Sequence, residues 1–168
     1  IIFGGIAAIN QRNIKRLLAY SSINNVGFIL IGLAVASEAG IAALLFYLVV
    51  YLAMTLGSFI CVLQMRDQAG EPIEDIAALA GLSQRRPYLA LAMAIFMLSI
   101  AGIPPLFGFW PKFLLFDAAV AAGFLPLAVI GIAASVIGAF YYLRIVKIMY
   151  FDPPNLTADS GFVFEATS

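Results

Sequence analysis

The sequence predicts an all-α protein, a polytopic transmembrane helix bundle with one discontinuous helix. Three observations carry that prediction. Apolar residues make up 64% of the 168 positions and charged residues 11%, with a mean hydropathy of +1.05, whereas a soluble domain carries roughly 25% charge. Apolar runs long enough to cross a bilayer as helix, roughly 20 residues, fill the chain. The longest of them is interrupted by Gly-Ile-Pro-Pro at 102–105. A water-soluble fold could not cover its surface with so few charged side chains.

The same composition excludes several classes. Nine basic and nine acidic residues balance, so no field attracts nucleic acid. With no His and one Cys, Cys61, a zinc site, an iron–sulfur cluster, a Ser-His-Asp triad and a disulfide framework all lack their parts.

The whole chain, 1–168, reads as one membrane domain and as a fragment. Residues 1–9 are apolar but too short to cross, and they lack a starting Met and a basic flank. They read as the end of a helix rather than a signal peptide. The polar stretch 10–16 follows. The span 19–36 is the most diluted, by Ser21, Ser22, Asn24 and Asn25, whereas 41–65 carries no charge. Residues 66–86 read as a solvated loop in which 74–82 can form a short surface helix. The run 87–122 is the broken helix, and 124–150 closes the set. The end, 152–168, reads as a polar loop or tail whose Asp159 and Glu165 give no chemical signal.

If each span crosses once, Arg12, Lys15, Arg16, Arg66, Arg85, Arg86, Arg144 and Lys147 fall on one side. The opposite loops, 37–40 and the turn near Gly123, contain no Lys or Arg. The bias puts the basic side in the cytoplasm, or in the matrix of an organelle. The remaining basic residue, Lys112, belongs to neither side.

Lys112 lies just beyond the break. Pro104 and Pro105 have no amide hydrogen, and Ile103 is pushed out of helical geometry by the proline after it. Gly102 and Gly108 ease the chain through the irregular stretch, which is tolerated at membrane depth only where protein or a watery cavity surrounds it. Pro87 and Pro111 suit the first turns of the two halves. A leading half of about 14 residues rises ~21 Å, which puts Lys112 near the middle of the bilayer. An ionisable residue there costs about 2.5–3.5 kcal/mol on insertion scales and normally marks an ion path. Desolvation penalises the ammonium, so such a lysine can exchange its proton as its neighbours change. The plainer alternatives are snorkelling to an interface or a permanent carboxylate partner, for which Asp117 stands five residues on, poorly spaced for a helical pair.

Tyr47, Tyr51, Thr55 and Ser58 step by four, four and three, so they share one helical face. They can support a chain of hydrogen-bonded waters, or simply bond across helix interfaces. Ala53/Gly57, Gly131/Ser135 and Ala134/Gly138 signal close helix packing. Tyr141, Tyr142 and Tyr150 read as packing and interfacial anchors.

Ile14-Lys15-Arg16-Leu17-Leu18-Ala19-Tyr20-Ser21-Ser22-Ile23 resembles the start of a transmembrane helix in the antiporter-like subunits of NADH:quinone oxidoreductase, respiratory complex I. Ala101-Gly102-Ile103-Pro104-Pro105, then Gly108-Phe109 and Lys112-Phe113, resembles their broken twelfth helix, and Tyr141-Tyr142-Leu143-Arg144 their thirteenth. The resemblance covers about residues 1–150. It departs at Asn24-Asn25, where relatives often have histidine, so no proton role is assigned there.

The resemblance implies the second repeat of an antiporter-like fold with two inverted repeats. It implies proton translocation through Lys112, with NADH, FMN, iron–sulfur clusters and quinone on other subunits and no cofactor in this chain. The implied partners are other membrane subunits of complex I, the lipid bilayer and protons. The implied location is the bacterial inner membrane. Competing readings are a subunit of a multisubunit Na⁺/H⁺ antiporter, a structural membrane anchor, and a quinone-binding redox protein, the last weakened by the lack of histidine.

Overall fold

A computed structural model describes residues 1–67 and 70–154; Asp159 and Glu165 lie outside the described residues. Among them the only β pairing consists of two isolated bridges, and the rest is helix and connection. The helices in chain order are α1 (Ile2–Ile9), α2 (Ile14–Val35), α3 (Glu38–Gln64), a 3₁₀ turn at Ile76–Leu79, α4 (Leu82–Arg85), α5 (Pro87–Ala101), α6 (Phe109–Ala121) and α7 (Leu125–Phe151). The chain is an all-α membrane bundle. Its α2, α3 and α7 are each long and apolar enough to cross a bilayer, and α5 and α6 are the two halves of a helix interrupted at 102–108.

Capping rather than hydropathy sets the helix ends. The Asn13 side chain accepts from the amides of Lys15 and Arg16 and starts α2, five residues ahead of the apolar run. Ser37 caps α3 by accepting from the Gly40 amide. The trailing half-helix begins at Phe109, so Pro111 is its third residue, within the first turn, where amides have no partner and a proline is tolerated. In the loop expected to hold one short helix over 74–82, a 3₁₀ turn and α4 stand instead, separated at Gly81, whose φ of +70° breaks the run.

One end of the bundle gathers the basic residues. Asn13 and Asp75 form a β-bridge, and the Ile14 amide donates to the Glu74 carbonyl at 2.8 Å. Lys15 Nζ meets the Glu74 carboxylate at 2.6 Å, and the Arg144 guanidinium donates to the Ile9 carbonyl at 2.9 Å. The α1–α2 turn, the 66–86 loop and the end of α7 therefore lie together.

The packing is apolar outside and partly polar inside. On α3, Leu45, Val49, Leu52, Leu56, Ile60 and Leu63 point outward, while Tyr47, Tyr51, Met54, Ser58 and Val62 are buried. The polar residues that dilute α2 face inward: Ser21, Asn24 and Asn25 are buried. Small residues allow the close approaches. A Cβ on Gly57 would meet the Phe96 ring of α5, and one on Gly131 would come within 2.6 Å of Phe116 of α6.

Candidate functional site

The site begins with a deficit written into the sequence. In an unbroken helix the carbonyls of Ile100 and Ala101 would accept from the amides four residues on, which belong to Pro104 and Pro105. Neither has a hydrogen to give. The end of α5 instead curls through Gly102 at φ +85°, where the Gly102 and Ile103 amides bond back to Ser99 and Leu98. Two carbonyls remain, and Lys112 takes both. Its Nζ donates to Ile100 O at 2.8 Å and Ala101 O at 3.2 Å, with Ser135 Oγ of α7 at 3.4 Å.

Three acceptors match the three hydrogens of an ammonium. Lys112 is 6% exposed, and among the described residues its amine has no carboxylate partner; the ion pairs there are Lys15–Glu74 and Lys147–Asp152. Asp117 is exposed and plays no part. The negative end of the α5 dipole attracts the amine, and the positive start of its own helix opposes it. A charge held this way rests on dipoles and on the face of the Phe28 ring, 5.0 Å from Nζ, a contact worth about 2 kcal/mol when desolvated.

Two glycines shape this cradle. A Cβ on Gly102 would sit 3.0 Å from Lys112 Cδ, and one on Gly108 would collide with the Ser99 carbonyl. Gly108 therefore lets the start of α6 lie directly on the backbone of α5, and this brings Lys112 within reach of the free carbonyls.

A second group of polar side chains adjoins Phe28 through Tyr47. That ring meets Tyr47 edge-on at 6.3 Å. The Tyr47 hydroxyl donates to Asn25 Oδ1 at 2.6 Å. Asn25 Nδ2 donates to Ser21 O at 2.8 Å and to the Tyr142 hydroxyl at 3.2 Å. The Ser21 and Tyr142 hydroxyls bond each other, the Tyr141 and Tyr142 rings touch at 4.6 Å, and Asn24 Nδ2 reaches the Tyr141 hydroxyl at 3.4 Å. The string ties α2, α3 and α7 together with donors and acceptors that a dry interior would otherwise penalise.

The geometry is that of a broken helix bearing a buried amine beside a polar string. The family model for the NADH:quinone oxidoreductase/Mrp antiporter transmembrane region matches residues 1–138. The chain belongs to this family. It is 71% identical over 91% of its length to NADH-quinone oxidoreductase subunit N of Rhizorhabdus wittichii, covering 32% of that protein. Among solved structures it is similar to a chain of respiratory complex I from Thermus thermophilus with bound aureothin (TM-score 0.77, 37% identity, 92% of this chain and 34% of the other). It is also similar to a chain of the Mrp complex from Dietzia sp. DQ12-45-1b (TM-score 0.81, 28% identity, 90% of this chain and 28% of the other). The chain spans about a third of the length of the curated relatives it matches.

Within this family member the expected site residues part company. Lys112, Gly102, Pro104, Pro105 and Gly108 come together at one point. The hydroxyls on that face of α3 make no hydrogen bond to one another: Tyr47 joins the Asn25 string, Tyr51 stacks on Tyr47 at 6.0 Å, and Ser58 bonds its own helix at Met54 O. Thr55 Oγ1 is buried without a partner. Tyr141 and Tyr142, read as packing anchors, are hydrogen-bonded members of the string. Of Asn24 and Asn25, assigned no role, Asn25 stands at its centre and Asn24 at its end. The signal for them was two adjacent amides in an apolar span, where polar groups face the bundle interior.

Proposed function

We propose that the chain is the second-repeat part of a proton-translocating membrane subunit of NADH:quinone oxidoreductase, with Lys112, near mid-membrane, as the group that takes up and releases the proton. Redox chemistry in other subunits drives it, and those subunits hold NADH, FMN, iron–sulfur clusters and quinone. The subunit lies in the bacterial inner membrane with its basic loops cytoplasmic. The observation that carries this reading is the buried Lys112 amine, held by two carbonyls that Pro104 and Pro105 leave free and by no carboxylate among the described residues. An amine without a fixed counter-ion changes protonation when a nearby charge moves; one locked to a carboxylate does not. The Tyr47–Asn25–Tyr142 string, which adjoins Phe28, supplies hydroxyls for the route.

Lys112→Met in the full-length subunit within the assembled complex tests this, with quinone reduction and proton movement measured separately in proteoliposomes. Proton movement is expected to fall by about tenfold or more, below the ~10²–10⁴ contributed by a positioned proton-transfer group in enzymes. Undiminished proton movement in an assembled complex overturns the reading.

Similarity to the Mrp complex chain, at TM-score 0.81, supports a Na⁺/H⁺ antiporter subunit as the second reading. The 71% identity to a subunit N favours the first. Co-purification with a quinone reductase in mild detergent separates the two.

A further inference from the structure

At the basic end of the bundle, Lys15 and Lys147 pair with carboxylates among the described residues. Arg85 and Arg86, adjacent in sequence, do not. Backbone alone holds them. Arg85 Nη2 donates to Ala80 O at 3.0 Å and to Ala78 O at 3.2 Å, and Arg86 Nη1 donates to Gln64 O at 3.2 Å. A guanidinium has five N–H groups, so these bonds fix where the two forks stand and leave most of their donors uncommitted.

The same two arginines line a groove of about 570 Å³ between the end of α3 and the start of α5. Its loop end is formed by Gln64, Arg85 and Arg86, and its walls continue along Cys61, Leu89 and Ala92. At the helical rise Cys61 lies ~4.5 Å in from Gln64, and Ala92 ~9 Å in from Arg86. One further turn in, Gly57 packs against the Phe96 ring and shuts the groove. It therefore has a charged outer end, an apolar inner end and a floor. Its level is that at which α5 enters the hydrocarbon: Pro87 opens the helix, and Tyr88, 87% exposed, is an aromatic of the kind that sits among lipid headgroups.

A soluble anion would use only the outer end of this groove, and an apolar side chain only the inner. We propose that it seats one anionic phospholipid, with the phosphate on Arg85 and Arg86 and the upper part of an acyl chain along Cys61, Leu89 and Ala92. Arginine forks suit phosphate because they bind two of its oxygens at once. Their anchoring to backbone means that little freedom is lost on binding, and basic pockets between membrane helices attract charged headgroups. The proposal depends on the membrane bundle and is independent of any role for Lys112.

Photoactivatable phosphatidylglycerol and phosphatidylcholine, with the same diazirine-bearing acyl chain, test this in the assembled complex containing the full-length subunit. Labelling is read by peptide mapping at Cys61 and Leu89. Phosphatidylglycerol is expected to label them about tenfold more strongly, from the attraction of two basic side chains. Arg85→Gln with Arg86→Gln, which keeps amides able to bond the loop carbonyls, should bring that labelling down to the phosphatidylcholine level. Ala92→Phe, which fills the groove and leaves both arginines, should remove it. A high-resolution map should show a headgroup phosphate within ~3 Å of the guanidinium nitrogens. Equal labelling of the wild type by the two lipids overturns the proposal, as does unchanged labelling in both variants. Full competition by excess glycerol phosphate overturns it in favour of a site for free phosphate, and protein side chains filling the groove in the map overturn it in favour of a subunit contact. The wild-type comparison decides the point even where a variant fails to assemble.

Discussion

Lys112 shows how a single side chain inherits its surroundings from residues it does not neighbour in sequence. Its acceptors exist because Pro104 and Pro105 lack amide hydrogens, and its reach exists because Gly108 has no side chain. Gly108→Ala drives a Cβ into the Ser99 carbonyl, backbone that cannot swing aside. It should cost about 1–3 kcal/mol, the usual range for overpacking, read as a lower unfolding temperature of the purified complex. Gly102→Ala faces both the Lys112 stem and a φ of +85°, and should cost about 1–2 kcal/mol from backbone alone. Phe28→Leu keeps an apolar filler but removes the ring face beneath Nζ. It should weaken proton movement without loss of assembly, measured beside Lys112→Met.

At the scale of elements, the break between α5 and α6 is a designed shortage of donors. Replacing Pro104 and Pro105 together by alanine restores two amides that compete with Lys112 for Ile100 O and Ala101 O. Proton movement should drop while the complex still assembles, and the new amides at 104 and 105 should be protected from hydrogen exchange. Lys112 still bonded to both carbonyls in a map of that variant would show that the prolines do not set its position. α3 teaches a different lesson. Its spacing puts Tyr47, Tyr51, Thr55 and Ser58 on one face, yet their direct hydrogen bonds go elsewhere than to one another. Ser58 spends its hydrogen bond on Met54 O, and Tyr47 spends its own on a different helix.

In the whole molecule, the loop end is held by polar contacts and the interior by the string. Hydrogen bonds from Lys15 and then Asn13 hold the Glu74 carboxyl below its usual value of 4.5. The folded state thus binds that proton less readily than the unfolded chain. The stabilisation is present above the unfolded value and is lost as pH falls through the lower folded one. Glu74→Gln should therefore be less stable than wild type near neutrality, with the difference closing below about pH 4. The effect is small, as for exposed ion pairs generally, and weaker in high salt.

Much of this was legible in the chain itself. Composition and run length established an all-α membrane bundle, because hydrocarbon accepts no other open arrangement of backbone. The proline pair and its glycines marked the break and drew attention to Lys112, since their backbone constraints are local and travel with the residue. The tertiary structure alone decided which polar groups meet. Asn25 joins Tyr47 and Tyr142 across 22 and 117 positions of sequence, and no local pattern encodes such a pairing. It arises from how three helices rotate against one another, which is settled by the fit of small and large side chains along their whole lengths.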